Sequence, residues 1–181
     1  EEQKITISRA QYSIEYPANF LLVAAMNPCP CGYLHDKQKK CTCSPTQIQN
    51  YKKKISGPIL DRFDMIIQVP RLKKEDYLNT KKNTESQEIK EKIKTAYQKQ
   101  KERYKNNLHN AKLTPKELKT HCELEEESKS FLAESVENGF LTGRSHDKVI
   151  KVARTIADLS KNRSITHEHI LEALQFRTIL T

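Results

Sequence analysis

The sequence predicts an α/β unit followed by an all-helical domain. Two apolar runs of strand length, residues 20–25 and 63–69, indicate the α/β part. A continuous apolar run is expected of a strand that is buried on both faces of a parallel sheet. Beyond the second run no strand signal remains, and capped helices follow one another. We therefore place part of an α/β core at residues 1–72, a lysine-rich linker at 73–83 and a helical domain at 84–181.

The first half of the α/β unit shows further local signals. Residues 4–8 alternate between polar and apolar side chains, which predicts a strand, and residues 16–19 have the composition of a turn. Ser44 and Pro45 have the residue types of an N-cap and a first helical position, so a helix is predicted to begin there and to end near Lys54. Residues 56–58 break this helix before a short turn and the second strand.

Five helices are predicted in the second half, each from its caps or its apolar periodicity. They run from Thr84 to about Asn106, from the capping box that begins at Thr114, from about Leu124 to Gly139, over residues 143–160, and from the cap at Thr166. The first of them should bury one face, formed by Ile89, Ile93, Ala96, Tyr97 and Tyr104. The fourth should bury a stripe formed by Val149, Ile150, Ala153, Ile156 and Ala157. In the last, Ile170, Leu171, Leu174 and Ile179 are the apolar positions.

Composition restricts the class of partner. The chain has 181 residues, a net charge of +9 and a pI near 9.3, which favours polyanions such as nucleic acid or nucleotide. A lysine-rich surface that serves only solubility would give the same values. Five cysteines, four of them in close pairs, favour metal ligands or reduced thiols in a cytoplasmic protein over a secreted disulfide framework. The longest apolar run, residues 20–26, is far shorter than the ~20 residues that span a bilayer, so no membrane partner is expected.

The four paired cysteines lie in one loop, residues 28–44, and are Cys29, Cys31, Cys41 and Cys43. Zinc takes four thiolates in a tetrahedral site, and such closed sites stabilise loops that lack a core. The Cys-x-Cys spacing departs from the common Cys-x2-Cys ribbon, and His35 is an alternative ligand. Reduced thiols, or disulfides formed during handling, are the other interpretations. A catalytic cysteine is not expected, because no ordered base lies nearby in the sequence.

Lysines flank this loop on both sides: Lys37, Lys39, Lys40, Lys52, Lys53 and Lys54. They would offset the negative charge of metal-bound thiolates. They would equally well contact phosphates, in which case binding would weaken with salt. A solvated loop is the third interpretation.

Two polar residues follow or precede the predicted strands. Asn27 comes directly after the first apolar run, at the strand end where α/β folds bind ligands, although asparagine before proline is also an ordinary turn residue. Arg62 lies between Asp61 and Asp64 at the start of the second run. It has the position of a catalytic arginine or of a simple ion-pair partner.

Five stretches together resemble the magnesium-chelatase-like AAA+ ATPases, specifically the YifB/ComM (competence protein) branch. They are Ile5-Thr-Ile-Ser-Arg-Ala10, Tyr16-Pro-Ala18, Phe20-Leu-Leu-Val-Ala-Ala-Met-Asn-Pro-Cys-Pro-Cys-Gly32, Ser56-Gly-Pro-Ile-Leu-Asp-Arg-Phe-Asp64 and Lys151-Val-Ala-Arg-Thr-Ile-Ala-Asp-Leu159. The resemblance covers nearly the whole chain and is weakest over residues 73–120. It implies the C-terminal portion of an AAA+ P-loop ATPase core, with a partial parallel sheet, followed by a helical lid.

The resemblance also implies roles for single residues. Asn27 matches sensor 1, which positions the water that attacks the γ-phosphate of ATP. Arg62 matches the arginine finger, which reaches the ATP of a neighbouring subunit. Arg144 is the first choice for sensor 2, and Arg154 is the second, although its apolar neighbours also suit a structural arginine. The implied cofactors are ATP and Mg²⁺, and the implied assembly is a homo-oligomer, by analogy a hexamer.

One departure from the family pattern concerns the phosphates. No Gly-x4-Gly-Lys-[Ser/Thr] motif and no acidic Walker B strand occur in the 181 residues. Both would lie upstream of Glu1, so we expect a C-terminal piece of the ATPase that does not hydrolyse ATP by itself, although the full-length protein does.

The resemblance implies that the protein is part of a DNA-handling motor, linked to competence, recombination or branch migration. A motor that drives metal insertion into a tetrapyrrole is a second interpretation, against which the cysteine string argues. A zinc-stabilised nucleic-acid-binding module is a third interpretation. It predicts salt-sensitive DNA binding that chelation abolishes.

Overall fold

The computed structural model describes residues 3–55, 57–72, 84–104 and 108–177. The chain forms two compact units, Glu1–Ile48 and Gln49–Thr181. The predicted linker at 73–83 lies outside the described residues, so the predicted domain limits remain predictions.

The first unit contains a β-hairpin. Strand β1 (Lys4–Arg9) pairs with strand β2 (Tyr12–Pro17) in antiparallel register, with Ile7 opposite Ile14. The strand predicted at residues 4–8 is therefore confirmed. The turn predicted at residues 16–19 is only partly right, because Tyr16 and Pro17 still pair with β1, through the register Ile5 to Tyr16 and Lys4 to Pro17.

The partial parallel sheet is wrong for the residues that the structure describes, where the two-stranded hairpin is the sheet. Residues 20–25 and 63–69 form no strand, and their apolar side chains are largely exposed: Leu21 by 89% and Val69 by 86%. A parallel strand obtains its hydrogen bonds from neighbouring strands that reach it through crossover connections. No other described segment pairs with residues 20–25 or 63–69. The apolar pattern of these residues predicts that they are buried, but it does not supply the neighbouring strands that a parallel sheet needs.

Helices account for nearly all of the remaining regular structure in the described parts of the chain, and we number them in chain order. They are α1 (Pro45–Lys53), α2 (Gly57–Leu60), α3 (Thr84–Tyr104), α4 (Pro115–His121), α5 (Glu126–Glu137), α6 (Gly143–Leu159) and α7 (His167–Gln175), with a 3₁₀ turn at Asn110–Lys112. All of the predicted helices are confirmed, with ends that differ from the predictions by a few residues. The predicted positions 105–106 and Ile179 lie outside the described residues.

The predicted caps explain why these helices begin and end where they do. Before α4, the Thr114 N–H donates to the Glu117 carboxylate at 2.8 Å, and the Glu117 N–H donates to the Thr114 hydroxyl at 3.3 Å. Before α1, Ser44 and Gln47 make the same reciprocal pair. After α5, Gly139 has φ +73°, the left-handed conformation that ends a helix and that glycine adopts without strain.

The hydrophobic core lies in the second unit, centred on α6. The predicted stripe of α6 is buried, with Val149, Ala153 and Ala157 all at 0% exposure. Side chains from the 3₁₀ turn region and from α4, α5 and α7 complete the cluster, among them Leu113, Leu118, Leu132 and Ile170. The predicted face of α3 is only partly right. Ala96 and Tyr104 are buried, whereas Ile89, Ile93 and Tyr97 are exposed by 51–55%.

Candidate functional site

The four paired cysteines converge. Their Sγ atoms all lie within 4.8 Å of one another, and Cys29 is fully buried. The closest sulfur pairs are Cys29–Cys31 at 3.4 Å, Cys31–Cys41 at 3.5 Å and Cys29–Cys41 at 3.7 Å. These distances far exceed the ~2.05 Å of an S–S bond, so the thiols are free. His35 is not part of this group of candidate ligands.

A tight turn creates the convergence. The N–H of Gly32 donates to the carbonyl of Cys29 at 3.0 Å, and Gly32 has φ +81°, a conformation that a side chain would strain. Backbone hydrogen bonds from Tyr33 and Thr42 lower the pKa of Cys31 to about 5, whereas burial raises the pKa of Cys43 to about 12. Four sulfur donors brought together in this way fit zinc, which prefers closed thiolate sites.

The flanking lysines interact with the loop in at least one case. Lys39 Nζ lies 4.1 Å from the centroid of the Tyr33 ring, a cation–π contact. Asp36 accepts hydrogen bonds from the N–H groups of Gln38 and Lys39, at 2.7 and 2.9 Å. The basic segment next to the cysteines therefore contributes to the structure of the loop through Lys39.

Asn27, the predicted sensor, is exposed and lies two residues before the cysteine cluster begins. A Cβ atom added to Gly32 would lie 3.8 Å from Cγ of Asn27, in ordinary van der Waals contact. The carboxamide therefore lies beside the turn that gathers the cysteines. A change in the backbone of this turn would alter the contacts of the Asn27 side chain.

Arg62, the predicted finger, lies two residues after the end of the short helix α2. Its own N–H donates to the carbonyl of Ile59 at 2.9 Å, and its Nη1 donates to the carbonyl of Pro58 at 2.7 Å. The residue is exposed. Within the described residues, Asp61 pairs with Arg177 and Asp64 with Lys148, so the flanking aspartates are engaged elsewhere than with Arg62.

The two sensor 2 candidates occupy different environments on α6. Arg144 is exposed in the first turn of the helix, just after the N-cap Thr142. Arg154 is 2% exposed and donates to the carbonyls of Asn162 at 2.8 Å and Arg163 at 2.7 Å. This geometry favours the structural role that the sequence also allowed for Arg154.

Arg154 belongs to a buried polar network around Asp158, which is 0% exposed. The carboxylate accepts hydrogen bonds from Arg154 at 3.1 Å, from Asn110 at 3.0 Å and from Arg103 at 3.0 Å. Burial raises the pKa of Asp158, but the hydrogen bonds from Arg103 and Asn110 and the charge of Arg154 outweigh it, so the pKa lies below its ordinary value. The network joins α3, the 3₁₀ turn and α6.

Two family models match consecutive parts of the chain. The model described as "Magnesium chelatase, subunit ChlI" matches residues 1–77, and "Magnesium chelatase, subunit ChlI C-terminal" matches residues 83–177. The chain belongs to the magnesium chelatase-like AAA+ family. The family resemblance predicted from the sequence motifs is confirmed.

Relatives of this magnesium chelatase-like chain include the Competence protein ComM of Haemophilus influenzae, 39% identical over 181 residues. Proteins named YifB are 37% identical in Escherichia coli and 35% identical in Salmonella typhimurium. Each alignment covers 99% of this chain and 35% of the relative. The chain thus spans about a third of the length of the relatives that it matches.

The structure also brings to the site two residues of the magnesium chelatase-like chain that sequence reasoning missed. Lys148 contacts the backbone carbonyl of Arg62 itself and Arg177 contacts that of Phe63, although they lie 86 and 114 residues further along the chain from these partners. Their sequence neighbourhoods contain no motif that would have indicated this.

No helix in the described parts of the chain is long and apolar enough to cross a membrane.

Proposed function

We propose that this chain supplies sensor 1, the arginine finger and the lid of an ATPase whose subunits assemble into a ring, by family analogy a hexamer. The observation that carries the proposal is the geometry at Arg62. Its side chain is exposed, while its backbone and both neighbouring aspartates are held by buried cations of the helical domain. Such an arginine is suited to act on a ligand that another subunit holds.

The proposed chemistry is phosphoryl transfer from ATP to water, for which Mg²⁺ would supply charge neutralisation. Asn27 orients the attacking water through its carboxamide. Arg62 stabilises the charge that develops on the phosphoryl group of the neighbouring subunit's ATP, an effect worth ~10³–10⁵ in rate in comparable enzymes. Arg144, exposed at the start of α6, contacts nucleotide phosphate. Arg154 is assigned to the fold of the lid, because its guanidinium is occupied by Asp158 and two carbonyls.

We further propose that ATP hydrolysis drives work on DNA in the cytoplasm. Two observations support a DNA substrate: the net charge of +9, and the name of the Haemophilus influenzae relative, a competence protein. A motor for metal insertion is the alternative that the description of the matching family model supplies.

Zinc is proposed as a structural ion held by Cys29, Cys31, Cys41 and Cys43. When bound, it would cross-link a loop that has little core of its own and keep the thiolates from oxidation. The residues themselves position the turn at Gly32 and the neighbouring Asn27.

The test of the ATPase proposal is Arg62→Ala in the full-length protein. We expect ATP affinity to change less than about 3-fold and hydrolysis to fall by ~10³-fold or more. Arg163→Ala is the matched control, because Arg163 is also an exposed arginine of the same unit and offers only its carbonyl to Arg154. Normal turnover by Arg62→Ala would reject the finger.

A zinc-stabilised nucleic-acid-binding module is the second candidate function, favoured by the cysteine cluster and its lysines. If it is right, residues 1–181 alone bind double-stranded DNA with a steep salt dependence, and a chelator abolishes binding. Binding that survives chelation would separate DNA contact from the metal.

A further inference from the structure

Two buried cations of the helical domain bind the four-residue segment that contains Arg62, residues 61–64. Lys148, on α6, is 8% exposed, and Arg177, just beyond α7, is 7% exposed. A buried cation is strongly destabilising unless it is hydrogen-bonded to a suitable acceptor. The acceptors of both residues lie mainly within residues 61–64.

Lys148 holds the finger residue itself. Its ammonium group donates to the backbone carbonyl of Arg62 and lies 3.4 Å from a carboxylate oxygen of Asp64. The side chain of Asp64 is 67% exposed, so solvent weakens this ion pair.

Arg177 holds the residues on either side. Its Nη1 donates to the carbonyl of Phe63 at 2.5 Å, and its Nη2 donates to the carboxylate of Asp61 at 3.2 Å. Thr142, the N-cap of α6, donates from its hydroxyl to the other oxygen of Asp61 at 3.5 Å. A backbone hydrogen bond from Ile66 to the carbonyl of Phe176, at 2.8 Å, extends the attachment. The segment is therefore fixed to both α6 and the end of α7.

We propose that Lys148 and Arg177 are positioning residues for the arginine finger, an inference that rests on the proposed function of Arg62. They contact its backbone and its neighbours, and their donors are engaged there. Loss of either contact leaves the guanidinium present but misplaced by enough to lower the rate, since a displacement of ~1 Å can cost ~10²-fold in catalysis.

The same contacts connect the finger to Arg144, the proposed sensor 2. Arg144 lies one helical turn before Lys148 on α6, and the N-cap of that helix contacts Asp61. A displacement of α6 on nucleotide binding at Arg144 would shift the donors that Thr142 and Lys148 present to Asp61 and to the carbonyl of Arg62.

The test is Lys148→Met in the full-length protein, which keeps the length of the side chain and removes the donor. We expect kcat for ATP to fall by ~10²-fold while KM changes less than about 3-fold. Lys148→Arg should restore most of the rate. Lys151→Met is the matched control, because Lys151 lies on the same helix and also donates to a backbone carbonyl, that of Ala111 at 3.3 Å, away from the finger.

A double mutant separates positioning from a general loss of stability. If Lys148 acts through Arg62, the Arg62→Ala/Lys148→Met protein is no slower than Arg62→Ala, because the finger is already gone. A merely structural role predicts that the two losses multiply, and that result would overturn the inference. If Lys148→Met does not fold, as judged by its thermal unfolding, Asp61→Asn replaces it in the same cycle, with the same expectation.

The outcomes also distinguish a failure of this inference from a failure of the proposed finger role of Arg62, on which it rests. Normal turnover by Arg62→Ala refutes the finger itself. A collapse in Arg62→Ala together with wild-type kcat in Lys148→Met leaves the finger in place and refutes only its positioning by Lys148.

Discussion

Arg154 and Asp158 form an ion pair one turn apart on α6, inside the helical domain. Nη2 of the arginine lies 3.1 Å from Oδ1 of the aspartate, and the two side chains are 2% and 0% exposed. Arg103 on α3 binds the same carboxylate from another helix. One buried arginine, Arg154, and one half-buried arginine, Arg103, thus share one aspartate as their charge partner.

Removal of Asp158 should therefore destabilise the helical domain strongly. We expect Asp158→Ala to lower the free energy of unfolding by ~3–5 kcal/mol, because it leaves the buried guanidinium group of Arg154 without a counter-charge. Urea unfolding followed by circular dichroism measures the change. The control is Glu91→Ala, which breaks the exposed pair with Lys94 at 3.1 Å on α3 and should cost less than ~1 kcal/mol. Equal losses in the two variants would contradict the central role of the network.

The same carboxylate should make stability depend on pH. Because the pKa of Asp158 is lowered in the folded state, its ionised form contributes stability that is fully present above the unfolded value of ~4. That contribution is lost as pH falls through the folded pKa. The difference in unfolding free energy between the wild type and Asp158→Asn should therefore be constant from pH 7 to 5 and shrink below pH 4. A constant difference down to pH 2 would be inconsistent with the lowered pKa.

The cysteine cluster predicts a stoichiometric metal. Protein purified without chelators should contain about one equivalent of zinc, and Cys41→Ser should lose most of it, because a closed thiolate site needs its full ligand set. Cys122→Ser is the control. Cys122 is buried in the helical core, where burial raises its pKa to about 11, and it is not part of the cluster. Less than half an equivalent of zinc in the wild type would favour reduced thiols instead.

Sensor 1 predicts a rate effect without a binding effect. Asn27→Ala in the full-length protein should slow ATP hydrolysis by ~10²–10³-fold, the range seen when one preorganised polar group is removed from a transition state, while ATP affinity stays near normal. Steady-state turnover and nucleotide titration measure the two quantities. Asn50→Ala, an exposed asparagine on α1, serves as the control. An equal loss of affinity and rate in Asn27→Ala would assign the residue to binding.

Local signals predicted the helices well. Thr114 and Glu117 specify the start of α4 through a contact that spans three residues, so the sequence contains all the information that the cap needs. The stripe of α6 was predictable for the same reason, since helical periodicity selects its buried face. The four cysteines likewise lie within one loop, and the structure brings their Sγ atoms within 4.8 Å of one another.

Long-range partners could not be predicted from this sequence. The apolar runs at residues 20–25 and 63–69 specify burial but not the strands that would cover them. Ile89 and Ile93 have the spacing of a buried helix face, yet both are exposed. Tyr104, at the end of the same helix α3, is buried in the core. Lys148 resembles any other lysine of a basic helix until the fold brings it to Arg62, 86 residues away.

Lys148 and Arg177 hold carbonyl groups of residues 62 and 63, which are the same in every amino acid. A substitution at residue 62 therefore removes the guanidinium without altering the atoms that these two contacts use. Such a subunit should fold, bind nucleotide and take its place beside normal subunits. In a cell that expresses both forms, a defective allele at this position should consequently be dominant, whereas alleles that unfold the helical domain should be recessive.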